Sequence, residues 1–517
     1  MKRIILPGLW LVIVLVGTLL IWLYPARTRR AVATGNDSEQ RTAQLFQSIR
    51  NQPEKLQVFL KSMPKGADLH THLSGAVYAE TFLSWAAAGQ MCIDPATFVV
   101  AEKCNAKTQV KLSKDLSKND PVFYRKLIDA WSTRNWEKSG KTGHDQFFVT
   151  FGRWGALTAR SGEMLAEVRS RAAEGNVSYI EIMITPDGGE SKKMGETLKW
   201  QENFSLMRQQ LLKAGLVEKA VAATKKNLDQ AEQKADEVLR CGQPQANKGC
   251  DVEVRYIFQV GRTNPPGQVF AQMLGAFEIA SSDTRVVALN LVQPEDNAIS
   301  MSDFPLHMRM LDYFHSIYSR VHITLHAGEL VPGLVPPEGL LFHIRDSVLT
   351  GHAERIGHGV DLMHETNAEQ LLKEMAARNV MVEICLTSND VILGVRGDKH
   401  PIRQYLAAGV PVALATDDEG VARSEITREY LKAVEDHNLG YADLKKMART
   451  SLQHAFVTGE SIWKNFLTSE LTGACAADRP ENDTLSAQCQ QFLNGNKKAT
   501  LQWRFEKSIS AFERQNQ

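Results

Sequence analysis

The chain has 517 residues, 43% hydrophobic and 23% charged, a balance that fits a soluble globular protein with ample chain for a large core. Its 60 basic and 59 acidic residues leave a formal charge of +1, which excludes the basic footprint of a nucleic-acid binder. The length would allow several domains, yet α/β barrels with insertions can use more than about 400 residues as one.

Residues 4–24 form an apolar run behind Lys2 and Arg3, broken only by Pro7, Gly8, Gly17 and Thr18. It is long enough to cross a bilayer as a helix and long for the core of a cleaved signal peptide. Arg27, Arg29 and Arg30 follow, so both flanks are positive and charge does not set the orientation. The expectation is an export segment at residues 1–33, retained as a membrane anchor, with cleavage near Ala31-Val32-Ala33 as the alternative. The protein would then be periplasmic or extracellular. Six of the seven cysteines form close pairs, Cys92 with Cys104, Cys241 with Cys250 and Cys475 with Cys489. Each pair brackets a polar stretch, as local disulfides in an oxidising compartment do. Cys385 ends an apolar segment and reads as a buried thiol.

Residues 34–65 are polar with amphipathic spacing and predict a helical lead-in. From Lys65 onward, short apolar segments alternate with helical patterns. Strands are expected at 67–72, 178–184, 252–260, 286–292, 322–326, 355–358, 381–385 and 412–415. Helical stretches at 162–174, 367–379 and 402–408 separate some of them, the pattern of a parallel sheet. Eight β/α units close most economically into a (β/α)8 TIM barrel, here over residues 66–470, with 471–517 as a C-terminal extension. Two insertions, at about 73–160 and 186–250, begin where a strand ends, on the face where barrel enzymes keep their chemistry. The first contains Phe147-Phe148-Val149-Thr150-Phe151. The second is rich in Lys, Glu, Gln and Ala over 198–239 and predicts one or two exposed helices.

His70 and His72 lie two apart on the first strand, so both imidazoles face one side and can reach one ion. Alone that pair says little. The fifth strand, however, ends in His326-Ala327-Gly328-Glu329, the sixth in Gly357-His358-Gly359, and the eighth runs into Asp417-Asp418. Titratable groups gathered at one barrel mouth are costly unless they share an ion or a substrate. His70, His72, His326 and Asp417 supply three nitrogens and a carboxylate, a set that suits one zinc with a place left for water. The fourth strand holds no lysine that could be carbamylated to bridge a second metal, which argues against two-metal amide or ester hydrolysis.

These residues also carry a family resemblance. The stretch from Met63 to Gly75, containing Asp68-Leu69-His70-Thr71-His72, resembles the opening motif of adenosine deaminases in the amidohydrolase superfamily. The segments around His326–Glu329, Arg355–Gly359, Thr387-Ser388-Asn389 and Thr416-Asp417-Asp418 match that family's remaining signatures in order, over roughly residues 63–468. The cysteine pairs and leader resemble those of the secreted branch, the adenosine deaminase-related growth factors. The resemblance implies zinc-dependent hydrolytic deamination of adenosine, or of a closely related adenine nucleoside, to an inosine-type product and ammonia. In it His358 orients or deprotonates the attacking water, Glu329 protonates purine N1, and Asp418 bonds N7. Gly328 and the backbone near Gln293 would also contact the substrate. Three positions depart from the family pattern. Ser74 replaces an Asp that holds the ribose 5′-hydroxyl, Asn290 and Gln293 replace Asp and Gly, and Glu419-Gly420 replaces a Pro. The proton-transfer groups are thus intact while the sugar-binding groups are altered. A non-catalytic extracellular binding protein is a poorer reading, because binding alone needs no proton donor beside the metal. The sequence leaves the oligomeric state open.

Overall fold

Eight of the apolar segments become parallel strands: β1 (Gly66–His72), β2 (Val177–Ile184), β3 (Glu253–Gly261), β4 (Val286–Val292), β5 (His322–Ala327), β6 (Arg355–His358), β7 (Met381–Ile384) and β8 (Val412–Leu414). They pair in chain order into one sheet, in a computed structural model that describes residues 37–105, 108–482 and 484–516. The strand sequences are nearly continuous apolar runs, because helices cover the outer face while side chains fill the interior. Along β4, for instance, every residue but Val292 is buried. Between β1 and β8 the seam is closed by few bonds. The N–H of Asp417 donates to the carbonyl of His70 at 2.8 Å, and that of His72 to the carbonyl of Asp417 at 3.4 Å. The expected (β/α)8 barrel is therefore the observed one.

The barrel interior carries a charged knot below the mouth. Arg355, fully buried on β6, pairs with Glu181 of β2 and Glu383 of β7, each at 2.6 Å. Its guanidinium also lies 3.8 Å from the ring centroid of Phe456. Burying these charges is tolerable because partners surround them: Tyr179 donates to Glu181 at 2.7 Å and Thr324 to Glu383 at 3.0 Å.

The lead-in forms two helices, Asp37–Ile49 and Pro53–Ser62, which seat Phe46, Leu56, Phe59 and Leu60 in the core. The buried ammonium of Lys65 ties them to the barrel, donating to the carbonyls of Leu60, Met63 and Gly175 at 2.6, 3.0 and 2.8 Å. Burial lowers the pKa of Lys65 to about 7. The last helix, Lys497–Gln515, packs on the same layer, with Phe512 and Phe59 ring centroids 5.0 Å apart.

The first insertion places the helix Gly143–Trp154 over the mouth of the barrel and adds a small antiparallel sheet of Cys92–Ile93, Val100–Ala101 and Val110–Lys111. The second supplies the helices Phe204–Lys213 and Leu216–Leu239. All three expected cysteine pairs are disulfides, and Cys385 is a buried free thiol.

One expectation is corrected. The apolar run at residues 4–24, which carried the reading of an exported, membrane-anchored protein, lies outside the described residues. Among the described residues no helix is long and apolar enough to cross a membrane. The longest, Leu216–Leu239, shows why: charged residues recur along it, and only a stripe including Leu216, Ala220, Leu228 and Leu239 is buried. The described residues thus supply no membrane-spanning helix, and the assignment of the chain to an exported location is withdrawn.

Candidate active site

The alternation of β1 turns His70 and His72 to the same side, and β5 and the turn after β8 bring His326 and Asp417 to meet them. Their ligand atoms lie within 4.8 Å of one another, and all four residues are buried. Nε2 of His326 is 3.1 Å from Nε2 of His70 and 3.3 Å from Nε2 of His72. Oδ1 of Asp417 is 3.3 Å from Nε2 of His72 and 3.6 Å from Nε2 of His70. A tetrahedral shell with bonds of about 2.0–2.1 Å sets neighbouring donors roughly 3.3 Å apart, so the donors present fit one divalent cation.

Each donor is aimed from behind, as metal ligands are. Nδ1 of His70 donates to Oε2 of Glu383 at 2.6 Å, leaving Nε2 for the centre. Asn290 of β4 accepts at Oδ1 from both the backbone N–H and Nδ1 of His326, each at 2.9 Å. The Oδ1 of Asn290 therefore serves His326, while its Nδ2 has no hydrogen-bond partner among the described residues. The side-chain amide of Gln259 lies 2.9 Å from Nδ1 of His72. Ser388 donates to Oδ2 of Asp417 at 2.6 Å, which leaves Oδ1 facing inward.

The charges in this cluster are mutually arranged. Burial alone would lower the pKa of His70, but hydrogen bonds to Asp417 and Glu383 raise it to about 10. A cation is therefore favoured here, whether it is a proton on His70 or a metal at its Nε2. Burial would raise the Asp417 carboxyl, yet its hydrogen bonds from His70 and His72 hold it well below the usual carboxylate range. Burial depresses His326 strongly and His358 to about 3, keeping both neutral.

Glu329 and Asp418 behave oppositely. Burial, reinforced by the nearby Asp417 and Glu295 carboxylates, pushes Glu329 well above the usual carboxylate range. Its Oε1 has no hydrogen-bond partner among the described residues and lies 3.6 Å from Nδ1 of His358. Glu295 fixes this segment, accepting from the N–H groups of Gly328 and Glu329 at 3.1 and 2.8 Å. Asp418 is likewise raised by burial and by Asp417, and its Oδ1 is also unpartnered. His358 is oriented by a relay anchored in backbone. The N–H of Ile402 donates to Nδ1 of His400 at 3.2 Å, Nε2 of His400 to Oδ1 of Asn389 at 3.1 Å, and Nδ2 of Asn389 to Nδ1 of His358 at 3.0 Å.

Glu329, Asp418 and the ligand-cluster residues His72, His326 and Asp417 line a cavity of about 380 Å³ whose wall also includes Ser74, Gln293, Phe147, Phe148 and Phe151. The aromatic run of the first insertion is thus part of the site. The N–H of Gly328 is committed to Glu295, and the carbonyl of Gln293 accepts from Nε of Arg262 at 2.8 Å. Backbone strain collects here: Gln293, His358 and Asp417 have φ of 83°, 70° and 58°, a region that side-chain-bearing residues rarely adopt. Two glycines permit the close approach of loops. A Cβ on Gly75 would stand 1.4 Å from Oδ1 of Asp418, and one on Gly420 would stand 2.2 Å from the carbonyl oxygen of Val77. The departure at Glu419-Gly420 is explained by that contact and by the Arg171–Glu419 pair at 2.6 Å.

Sequence reasoning missed the supporting partners Glu383, Asn290, Gln259, Ser388, Asn389 and His400. For Ser388 and Asn389 a signal existed, since both stand in a quoted signature, and Asn290 was already marked as a departure from the family pattern, though not for this role. The others reach the site only through contacts distant in the chain.

The family model for adenosine deaminase matches residues 163–472, more than half of the chain. A stretch of 168 residues is 32% identical to an adenosine deaminase of Clostridium acetobutylicum, covering 32% of this chain and 46% of that one. A stretch of 141 residues is 33% identical to an adenine deaminase of Rhizobium leguminosarum bv. trifolii, covering 27% and 40%. The chain therefore matches less than half the length of these relatives. In fold it is similar to an Arabidopsis N6-mAMP deaminase, at TM-score 0.50 and 20% identity, over 78% of this chain and 96% of that one.

Proposed function

Because the chain belongs to the adenosine deaminase family, we propose that it hydrolyses the 6-amino group from an adenine nucleoside. Zinc is the metal we assign to His70, His72, His326 and Asp417, and residues 66–470 are the catalytic unit. The observation that carries this reading is a four-donor cluster beside a buried carboxyl, Glu329, whose free oxygen faces His358. Bound zinc lowers the pKa of water towards about 7, so a nucleophile is available at neutral pH.

The chain's own residues do the rest. Glu329, whose carboxyl burial pushes well above the usual carboxylate range, gives its proton to purine N1, which draws electron density from C6. His358, neutral and held by Asn389, orients the attacking water and takes up its proton. Asp418, raised in the same way, donates to N7. Water oxygen bonds to C6, the C6–N bond breaks, and ammonia leaves with a proton returned through these groups. The aromatic helix Gly143–Trp154 covers the base and keeps bulk water out. Acid and base roles fall to groups whose surroundings push their pKa values in opposite directions, the Glu329 carboxyl up and the His358 imidazole down.

The test is ammonia release, with conversion of the purine absorbance band, when zinc-loaded protein meets adenosine, 2′-deoxyadenosine and adenine. Turnover of a nucleoside at one zinc per chain supports the proposal. Absence of ammonia from all three would sink it.

A further inference from the structure

A second, larger cavity opens beside the first. Its volume is about 610 Å³, against about 380 Å³ for the space at the metal-ligand cluster. Ser74 and Gln259 line both, so the two are neighbours across a shared rim. The floor of the second is the end of β2 with Thr185 and Pro186. One side is the start of the helix Ser161–Glu174, and the other is Asn227, Gln230 and Ala231 of the long insertion helix Leu216–Leu239. The first cavity lies near the low end of the range for small-molecule sites, and the pair together near the top.

The chemistry of the proposed reaction sets which end of a substrate looks towards this space. Purine N1 and N7 flank C6, so a base that presents C6 to the cluster, N1 to Glu329 and N7 to Asp418 turns its opposite edge away. N9 and its sugar leave from that opposite edge, and the rim shared with the second cavity lies at Ser74 and Gln259. The exocyclic 5′ carbon is the outermost point of the sugar, so any extension there enters the second cavity first. The lining decides the kind of extension. Its charged members are Glu163 and Lys234, opposite in sign and paired with Arg160 and Glu237 at 3.4 Å each. What remains is hydroxyl and amide groups among apolar walls, such as Thr158, Ser161, Thr185 and Gln230 beside Leu165 and Ala231. A phosphate would call for an arginine fork or several unpaired cations. An uncharged polar group suits this lining.

Resting on the deaminase reading above, we propose that the preferred substrates are adenine nucleosides carrying an uncharged polar substituent on the 5′ carbon, received by the cavity beyond Ser74 and Gln259. The reaction at C6 is unchanged by it. The substituent contributes binding away from the reacting atoms, which the enzyme can use for rate as well as affinity.

Steady-state kinetics on the zinc-loaded full chain would compare adenosine, 5′-deoxy-5′-(2-hydroxyethylthio)adenosine and adenosine 5′-monophosphate. The expected order puts the thioether at or above adenosine in kcat/KM, with the monophosphate lowest. Ala231→Trp places an indole in the second cavity and should lower the thioether-to-adenosine ratio at least about tenfold. Gln230→Trp, at the exposed edge of the same helix, repeats the test where core packing is not disturbed. Calorimetric affinities of the two matching inosine products give a second readout, and the same ratio should fall there. A thioether kcat/KM below one-tenth of that for adenosine overturns the inference and leaves the deaminase reading standing. So does a ratio unmoved by both substitutions, or a preference for the monophosphate. If no nucleoside releases ammonia, the deaminase reading fails first and this inference falls with it.

Discussion

At the scale of residues, the proposed reading separates groups assigned to a cation from groups assigned to a proton. Glu329→Gln keeps size and shape but removes the carboxyl proton, so it should bind zinc at near one per chain with kcat reduced at least about a hundredfold. Asp417→Ala removes a donor and should lose both zinc and turnover; metal analysis beside kinetics separates the two. A Glu329→Gln protein stripped of zinc would show that the roles are assigned wrongly. Glu383 acts one step back. Glu383→Gln can still accept from Nδ1 of His70, but it no longer opposes the charge of Arg355 or of a metal-bound His70. Zinc affinity should fall about 10–100-fold, read by chelator competition, with the fold retained. The cluster was legible in the sequence because strand periodicity alone turns His70 and His72 together, and because His326 stands at the end of one strand and Asp417 just beyond the end of another. Glu383 was not legible: it sits inside an apolar strand, and its importance arises only when the closed barrel brings it to His70 of β1.

At the scale of elements, boundaries came out within a residue or two wherever apolar runs met glycine or polar turns, as at β4 and β6. The strained positions did not. Nothing local in the sequence marks Gln293, His358 and Asp417 as left-handed, since tertiary contacts impose that conformation against residue preference. The lead-in gives another example. Its helices were expected from amphipathic spacing, yet the group that fastens them is a lysine, a residue type seldom buried. Lys65→Met should leave three carbonyls without their donor and destabilise the fold by about 2 kcal/mol or more. Chemical denaturation would show this, and a midpoint unchanged from the parent protein would mean that water replaces the ammonium at no cost.

At the scale of the whole molecule, the order of strands followed from alternation along the chain, whereas the pairing of cavities did not. Ser74, Gln259 and the helix Leu216–Leu239 come from three separate stretches, and only the closed barrel brings them to one rim. The same closure has a kinetic side. The seam between β1 and β8 joins residues near opposite ends of the barrel sequence through two backbone hydrogen bonds, and metal donors stand on both sides of it: His70 and His72 on one, Asp417 on the other. Contacts between such distant segments carry a large loop-closure cost and form late. An ion shared across them can stabilise only what has already closed. It should therefore act as a brake on opening and have little influence on assembly. In stopped-flow experiments zinc should slow unfolding about tenfold or more while leaving the refolding rate within about twofold of that in chelator. Zinc that instead sped up refolding would mean that the first and last strands meet early, and that the ion gathers the barrel before it locks it.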